Sequence, residues 1–124
     1  MSRYNMLHPN WKIPQLKEVE WGYIAGYLDG DGSIPKGLED GKLRFRILFG
    51  GNDKNITIWL KKKLNLKYKI VEDKSNKGFL ARTNPIWRLN ITSNRIIYLI
   101  LKRVSPYLIE KKKRANEAIN YFEK

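Results

Sequence analysis

Three glycines recur every fourth residue in one short segment, Gly22, Gly26 and Gly30, and the residues between them are mostly apolar. Trp21, Ile24, Ala25 and Leu28 fall on one side of a helix, so the pattern predicts a helix over Val19–Asp29 with two unlike faces. One face carries side chains for a core. The other is a ridge without side chains. Each interior glycine costs about 1 kcal/mol of helix stability relative to alanine, so the ridge is expected to recover that loss by close packing against another backbone. An ordinary flexible turn does not account for the spacing of four. Gly22, Ala25, Gly26 and Asp29 are the candidate interface residues.

The helix runs directly into Asp29-Gly30-Asp31-Gly32-Ser33. Two carboxylates one residue apart, among glycines that let backbone approach closely, are suited to a divalent cation. A calcium-binding EF-hand loop starting at Asp29 would need glycine where Ile34 stands, so that reading fails.

Charge narrows the partner. The formal net charge is +13, and residues 42–114 hold twenty Lys or Arg against Asp53, Glu72, Asp73 and Glu110. Residues 1–41 are slightly acidic. Four acids cannot neutralise such an excess through ion pairs, and a concentrated positive field favours a phosphate backbone over a merely lysine-rich surface. The 124 residues are enough for one domain with a core. Cysteine is absent, which excludes disulfides and thiolate metal sites. With no apolar run near the ~20 residues of a membrane span, and no secretory leader at the amino terminus, a soluble intracellular protein is expected.

Residues 1–17, broken by Pro9 and Pro14, read as an arm in which Arg3, Tyr4 and Trp11 either reach the nucleic-acid partner or are disordered; residues 18–124 form the domain. After the first helix comes a weak strand over Ile34–Glu39, a turn at Asp40-Gly41, and a strong strand over Lys42–Phe49. In that strand Leu43, Phe45, Ile47 and Phe49 alternate with Lys42, Arg44, Arg46 and Leu48. A helix over Asp53–Leu64, a strand over Lys67–Asp73, a loop over Ser75–Pro85 and a strand over Ile86–Thr92 follow. Ser93 or Asn94 then caps a helix running to Val104, and Pro106 opens the last helix through Phe122. Hairpins separated by helices define an α+β fold, an antiparallel sheet covered by helices on one face. The uncovered face displays Lys42, Arg44, Arg46 and Arg88.

The block I-A-G-Y-L-D-G-D-G-S, Ile24–Ser33, resembles the signature of the LAGLIDADG homing endonucleases. Two further segments resemble the single-motif, homodimeric branch: F-G-G-N-D-K-N-I-T-I-W-L through Phe49, Lys54 and Trp59, and S-P-Y-L-I-E-K-K-K-R-A-N near the carboxyl end. The resemblance implies an αββαββα domain with a saddle-shaped sheet. It implies that Asp31, with the carbonyl of Gly30, binds Mg²⁺ or another divalent cation such as Mn²⁺, while Asp29 structures the turn. One motif per chain then implies a homodimer that brings two aspartates together. Asp53 falls where the family positions catalytic water, with helix capping as its alternative role. Lys111 falls on the active-site lysine, with Lys113 its nearest alternative and Lys112 on a solvated face. Contacts to double-stranded DNA are implied for Ser33, Lys42, Arg44, Arg46, Leu48, Lys69, Arg88 and Asn90. The implied activity is cleavage of both strands of a long, near-palindromic site to leave 3′ overhangs, the reaction of intron homing. Two alternatives use the same fold: an intron RNA-splicing maturase and a cleavage-inactive DNA-binding regulator.

Overall fold

The computed structural model describes residues 10–73 and 85–124. Its first helix, α1, spans Glu18–Asp31. Glu18 and Glu20 lie in its first turn, where negative charge complements the helix dipole. Glu20 accepts from the Lys17 N–H at 3.1 Å and donates its own N–H to the Lys17 carbonyl at 2.9 Å, which closes the helix start. Trp21, Ile24, Ala25 and Leu28 are all buried, as their spacing predicts. The helix runs two residues beyond Asp29 and ends at Gly32, where a side-chain carbon would lie 2.8 Å from Leu28 Cδ1.

Strands β1 (Lys36–Glu39) and β2 (Lys42–Phe45) pair antiparallel, with Glu39 opposite Lys42 and Gly37 opposite Arg44. Asp40 and Gly41 both take positive φ, 52° and 77°, the geometry a two-residue hairpin turn requires. The single strand expected over Lys42–Phe49 is divided at Arg46, and β3 covers Ile47–Gly51. The interruption lies opposite Pro35, which has no N–H for the ladder, although the Arg46 N–H still reaches the Pro35 carbonyl at 3.1 Å. Pairing resumes between Ser33 and Leu48 through two bonds of 2.9 Å. That bridge joins the hairpin to a three-stranded antiparallel sheet, ordered β3, β5 (Ile86–Ile91), β4 (Ile70–Asp73). β4 is shorter than the expected Lys67–Asp73, and most of the expected loop over Ser75–Pro85 lies outside the described residues.

Helix α2 (Lys54–Lys63) begins at Asp53, whose Oδ1 accepts from the Asn55 N–H at 2.9 Å. Helix α3 (Asn94–Val104) begins at Ser93. Pro106 opens only a short 3₁₀ turn, Ser105–Tyr107, and the last helix, α4, covers Lys112–Glu123. The late start of α4 has a specific cause: the N–H groups of Ile109, Glu110 and Lys111 are held by the side chain of Asp29. Phe45, Ile47, Phe49, Leu89 and Ile91 form the buried inner face of the strands. They meet Leu60 of α2, Ile97 and Ile100 of α3, and Ala118 and Phe122 of α4 in one core. Among the described residues no helix is long and apolar enough to cross a membrane.

The described part of the amino-terminal segment is not a free arm. Trp11, Ile13 and Leu16 pack against the core, and the Trp11 indole donates to the carbonyls of Leu64 (3.1 Å) and Asn65 (3.2 Å) at the end of α2. Arg95 donates to the Trp11 carbonyl at 3.1 Å. Trp11 is therefore turned inward rather than toward a partner; Arg3 and Tyr4 lie outside the described residues. Replacing Trp11 by alanine removes a half-buried aromatic and its contacts to two terminal carbonyls, and is expected to lower the unfolding free energy by ~2 kcal/mol in urea titration. A wild-type urea midpoint would show that the segment contributes nothing to the folded unit.

Candidate active site and nucleic-acid interface

The two aspartates at the end of α1 have opposite environments. The carboxylate of Asp29 is committed to the chain itself: Oδ2 accepts from the N–H groups of Ile109 (2.8 Å) and Glu110 (3.2 Å), and Oδ1 from that of Lys111 (2.9 Å). It sits where α4 begins, so it also meets the positive end of that helix. Burial opposes ionisation of Asp29. The three N–H groups and the Lys111 charge outweigh burial and hold its pKa below the usual carboxylate value. Asp31, two residues on, is exposed, and among the described residues its carboxylate makes no hydrogen bond or ion pair. One carboxylate is structural, and the other is available.

Asp31 opens onto a surface pocket of about 320 Å³ that is also lined by Gly50, Gly51, Asn52, Ile86 and Arg88. Tyr27, one turn earlier on α1, donates its hydroxyl to the Gly50 carbonyl at 3.0 Å and stacks on Phe49. That contact requires glycine at 51, since a side-chain carbon there would meet the Tyr27 oxygen at 2.3 Å. Burial, followed by the charges of Asp31, Tyr23 and Asp53, raises the Tyr27 pKa and keeps the phenol a donor. Lys111 reaches the same helix end, its Nζ donating to the main-chain oxygen of Asp29. It is half-buried, whereas Lys112 and Lys113 are exposed. Asp53 caps α2 through Oδ1, the capping alternative of the two roles weighed for it. Its neighbour Asn52 lines the Asp31 pocket and was not singled out by the sequence pattern. Its carboxamide both donates and accepts, and its only signal in the sequence is a polar residue beside the end of a strand. Tyr27 was also missed; its signal is its position four residues before Asp31.

The donor set suits a hard divalent cation, because Asp31 and the carbonyl of Gly30 offer oxygen only. Among the described residues no group of three or more His, Cys, Asp or Glu side chains is placed to hold a metal.

The open face of the sheet carries the expected row of polar and basic residues. Ser33, Leu48 and Asn90 align across it, and Gly50, Arg88 and Val71 form the next row. Lys42, Arg44, Lys69 and Asn90 are exposed, while Ser33, Arg46, Leu48 and Arg88 are half-buried. The arginines are not loose: Arg46 and Arg44 both pair with Glu39, and Arg88 Nε donates to Asp73 Oδ2 at 3.1 Å.

The glycine ridge faces outward. A side-chain carbon added at Gly22, Gly26 or Gly30 would meet nothing within 4 Å. Beside it on the same helix face stand Val19, 75% exposed, and Tyr23, 48% exposed with its ring edge-on to Trp59 at 5.3 Å. Two residues named as interface candidates fall away from this face. Ala25 is wholly buried in the chain's own core, and Asp29 is engaged by the segment before α4.

No family model matches the sequence, and no curated protein matches it. Solved structures do. The homing endonuclease I-CvuI, in complex with the I-CreI target in the presence of Mg with the DNA not cleaved, superposes with a TM-score of 0.67 at 17% identity, covering 86% of this chain and 68% of that one. The archaeal intron-encoded homing endonuclease I-Vdi141I complexed with DNA gives 0.61 at 14% identity over 83% and 66%. The LAGLIDADG meganuclease I-AabMI bound to uncleaved DNA gives 0.57 at 15% identity over 83% and 37%. The architecture is that of the LAGLIDADG homing endonucleases: an α+β domain with helices on one face of an antiparallel sheet. The chain spans about two thirds of I-CvuI and I-Vdi141I and just over a third of I-AabMI.

Asp29→Ala is expected to lower stability by ~1–2 kcal/mol near neutral pH, the loss of a capping carboxylate. Because the folded-state pKa is depressed, the Asp29 contribution is complete above the unfolded carboxylate pKa and disappears as pH falls through the folded value. Urea titrations of both proteins across acidic pH should therefore converge as pH drops. A difference that stays constant would assign the loss to packing rather than to the charge.

Proposed function

We propose that this chain is one half of a divalent-metal-dependent DNA endonuclease that works as a homodimer. The observation that carries the reading is the division between the two aspartates. Asp29 is consumed in building the domain, while Asp31 is left free at the end of a helix whose bare glycine face opens outward. Pairing two such faces brings the two α1 ends together and supplies the second Asp31 that a metal site in this pocket needs.

In that arrangement Asp31 and the Gly30 carbonyl of each chain hold Mg²⁺, or another divalent cation such as Mn²⁺. When bound, the metal lowers the pKa of a water and stabilises charge on the phosphodiester oxygens. Lys111 brings a positive charge to the same helix end, where it stabilises the charge that develops on phosphorus oxygens. Asn52 places a polar group in the Asp31 pocket that orients water. The outward face of each sheet lies in the major groove. Arg44, Arg46, Arg88 and Asn90 meet base edges, and Lys42, Lys69 and Ser33 contact the backbone, with Leu48 packing on bases. A twofold protein demands a near-palindromic site. Both strands are then cut between the half-sites, leaving 3′ overhangs as in intron homing. The net charge of +13 serves the same partner.

Asp31→Asn tests the reading, since it deletes metal-binding charge and, among the described residues, no contact within the chain. The variant should unfold at the wild-type urea concentration and retard duplex DNA in a gel shift as wild type does. Its nicking of supercoiled plasmid in Mg²⁺ should fall at least a hundredfold. Cleavage at the wild-type rate would remove Asp31 from the active site.

A further inference from the structure

The open face of the sheet carries acids as well as bases, and they are not scattered. Glu39 ends β1 at the hairpin tip, directly opposite Lys42. Arg44 lies on the same side of β2 two residues later, and its own cross-strand partner is Gly37, which presents no side chain. The space beside Arg44 is therefore open, and a side-chain carbon at Gly37 would meet nothing within 4 Å. The Glu39 carboxylate lies on the same side of the hairpin and reaches both arginines. Oε2 lies 3.6 Å from Arg44 Nε, and Oε1 pairs with Arg46 Nη2, so one carboxylate spans two guanidinium groups. In the other part of the sheet Asp73 on β4 holds the guanidinium of Arg88 on β5 through Nε.

We infer that Glu39 is a specificity-determining positioning residue that orders Arg44 and Arg46 for contact with base edges; this rests on the proposal that the open face reads DNA. An arginine has a long, rotamer-rich side chain, and holding it before binding removes part of the ordering loss on association. Which guanidinium nitrogens remain free also matters. With Nε facing a carboxylate, Arg44 keeps both Nη groups for a bidentate contact such as guanine O6 and N7. Arg46, held through Nη2, keeps Nε and Nη1. The carboxylate thus selects the donors that each arginine presents. It also repels phosphate, which disfavours placing this hairpin against the DNA backbone and sharpens the difference between base and backbone contact.

The test is selection of bound duplexes from a randomised double-stranded DNA library, without divalent cation, by wild type, Glu39→Gln, Arg44→Ala, Arg46→Ala and the Glu39→Gln/Arg44→Ala double variant. Exposed ion pairs add little to stability, so Glu39→Gln should keep the wild-type urea midpoint. Glu39→Gln should lose preference, by about tenfold, at the same symmetry-related base positions as the arginine variants. It should bind mixed-sequence DNA at least as tightly as wild type, because a negative charge has been removed. At the Arg44 position the double variant should be no worse than Arg44→Ala alone. A wild-type base profile for Glu39→Gln would overturn the inference. So would a change confined to positions that both arginine variants leave intact, since Glu39 would then be reading a base itself. If wild type selects no sequence at all, base reading by this face fails and the inference falls with it.

Discussion

Three backbone N–H groups converge on the carboxylate of Asp29, and the geometry of the whole site follows from that contact. It joins the carboxyl end of α1 to the segment that begins α4, eighty residues away in sequence. It holds the backbone of Lys111 against the helix end that carries Asp31. A carboxylate accepting several N–H bonds is a strong, charge-assisted anchor, and here it also complements the dipole of α4. The consequence is that the Lys111 amine lies against the last turn of α1, the turn that ends in Asp31.

The opposite face of α1 has no such internal use. Its glycines together cost about 3 kcal/mol of helix propensity relative to alanine. Among the described residues nothing offsets this: at Gly22, Gly26 and Gly30 there is room for a side chain and no neighbour for it to meet. Gly32 and Gly51 are different, since Leu28 and Tyr27 occupy the space a side chain would need. Two of the five glycines discussed are explained by intramolecular packing. The other three have no such explanation among the described residues, and the proposed pairing of two chains is what would use them.

Much of this architecture was legible in the sequence because it rests on local periodicity. The buried face of α1, the alternation through β2 and β3, the turn at Asp40-Gly41 and the caps at Asp53 and Ser93 are all set by residues near one another in the chain. What was not legible depended on distant partners. The break at Arg46 comes from Pro35 on the paired strand, and the delayed start of α4 comes from Asp29. Trp11 was read as free because its acceptors lie at Leu64 and Asn65. Of the site, the motif residues Gly30, Asp31 and Lys111 came together at one helix end, while Tyr27 and Asn52 were found only once the strand end closed over α1.

Because the chain contains no cysteine, a single introduced thiol reports directly on what the glycine face meets. Gly26→Cys places that thiol where it meets none of the described residues of its own chain, and Asn120→Cys places one on the exposed side of α4 as a control. A disulfide forms only when the two α-carbons lie within about 4.4–6.8 Å, so cross-linking under mild oxidation measures helix proximity rather than mere association. Gly26→Cys should convert nearly completely to a covalent species of twice the 14.7 kDa chain mass at a protein concentration where Asn120→Cys stays monomeric on a non-reducing gel. If Gly26→Cys cross-links no better than the control, the bare face of α1 does not meet its own copy, and the shared Asp31 site is contradicted.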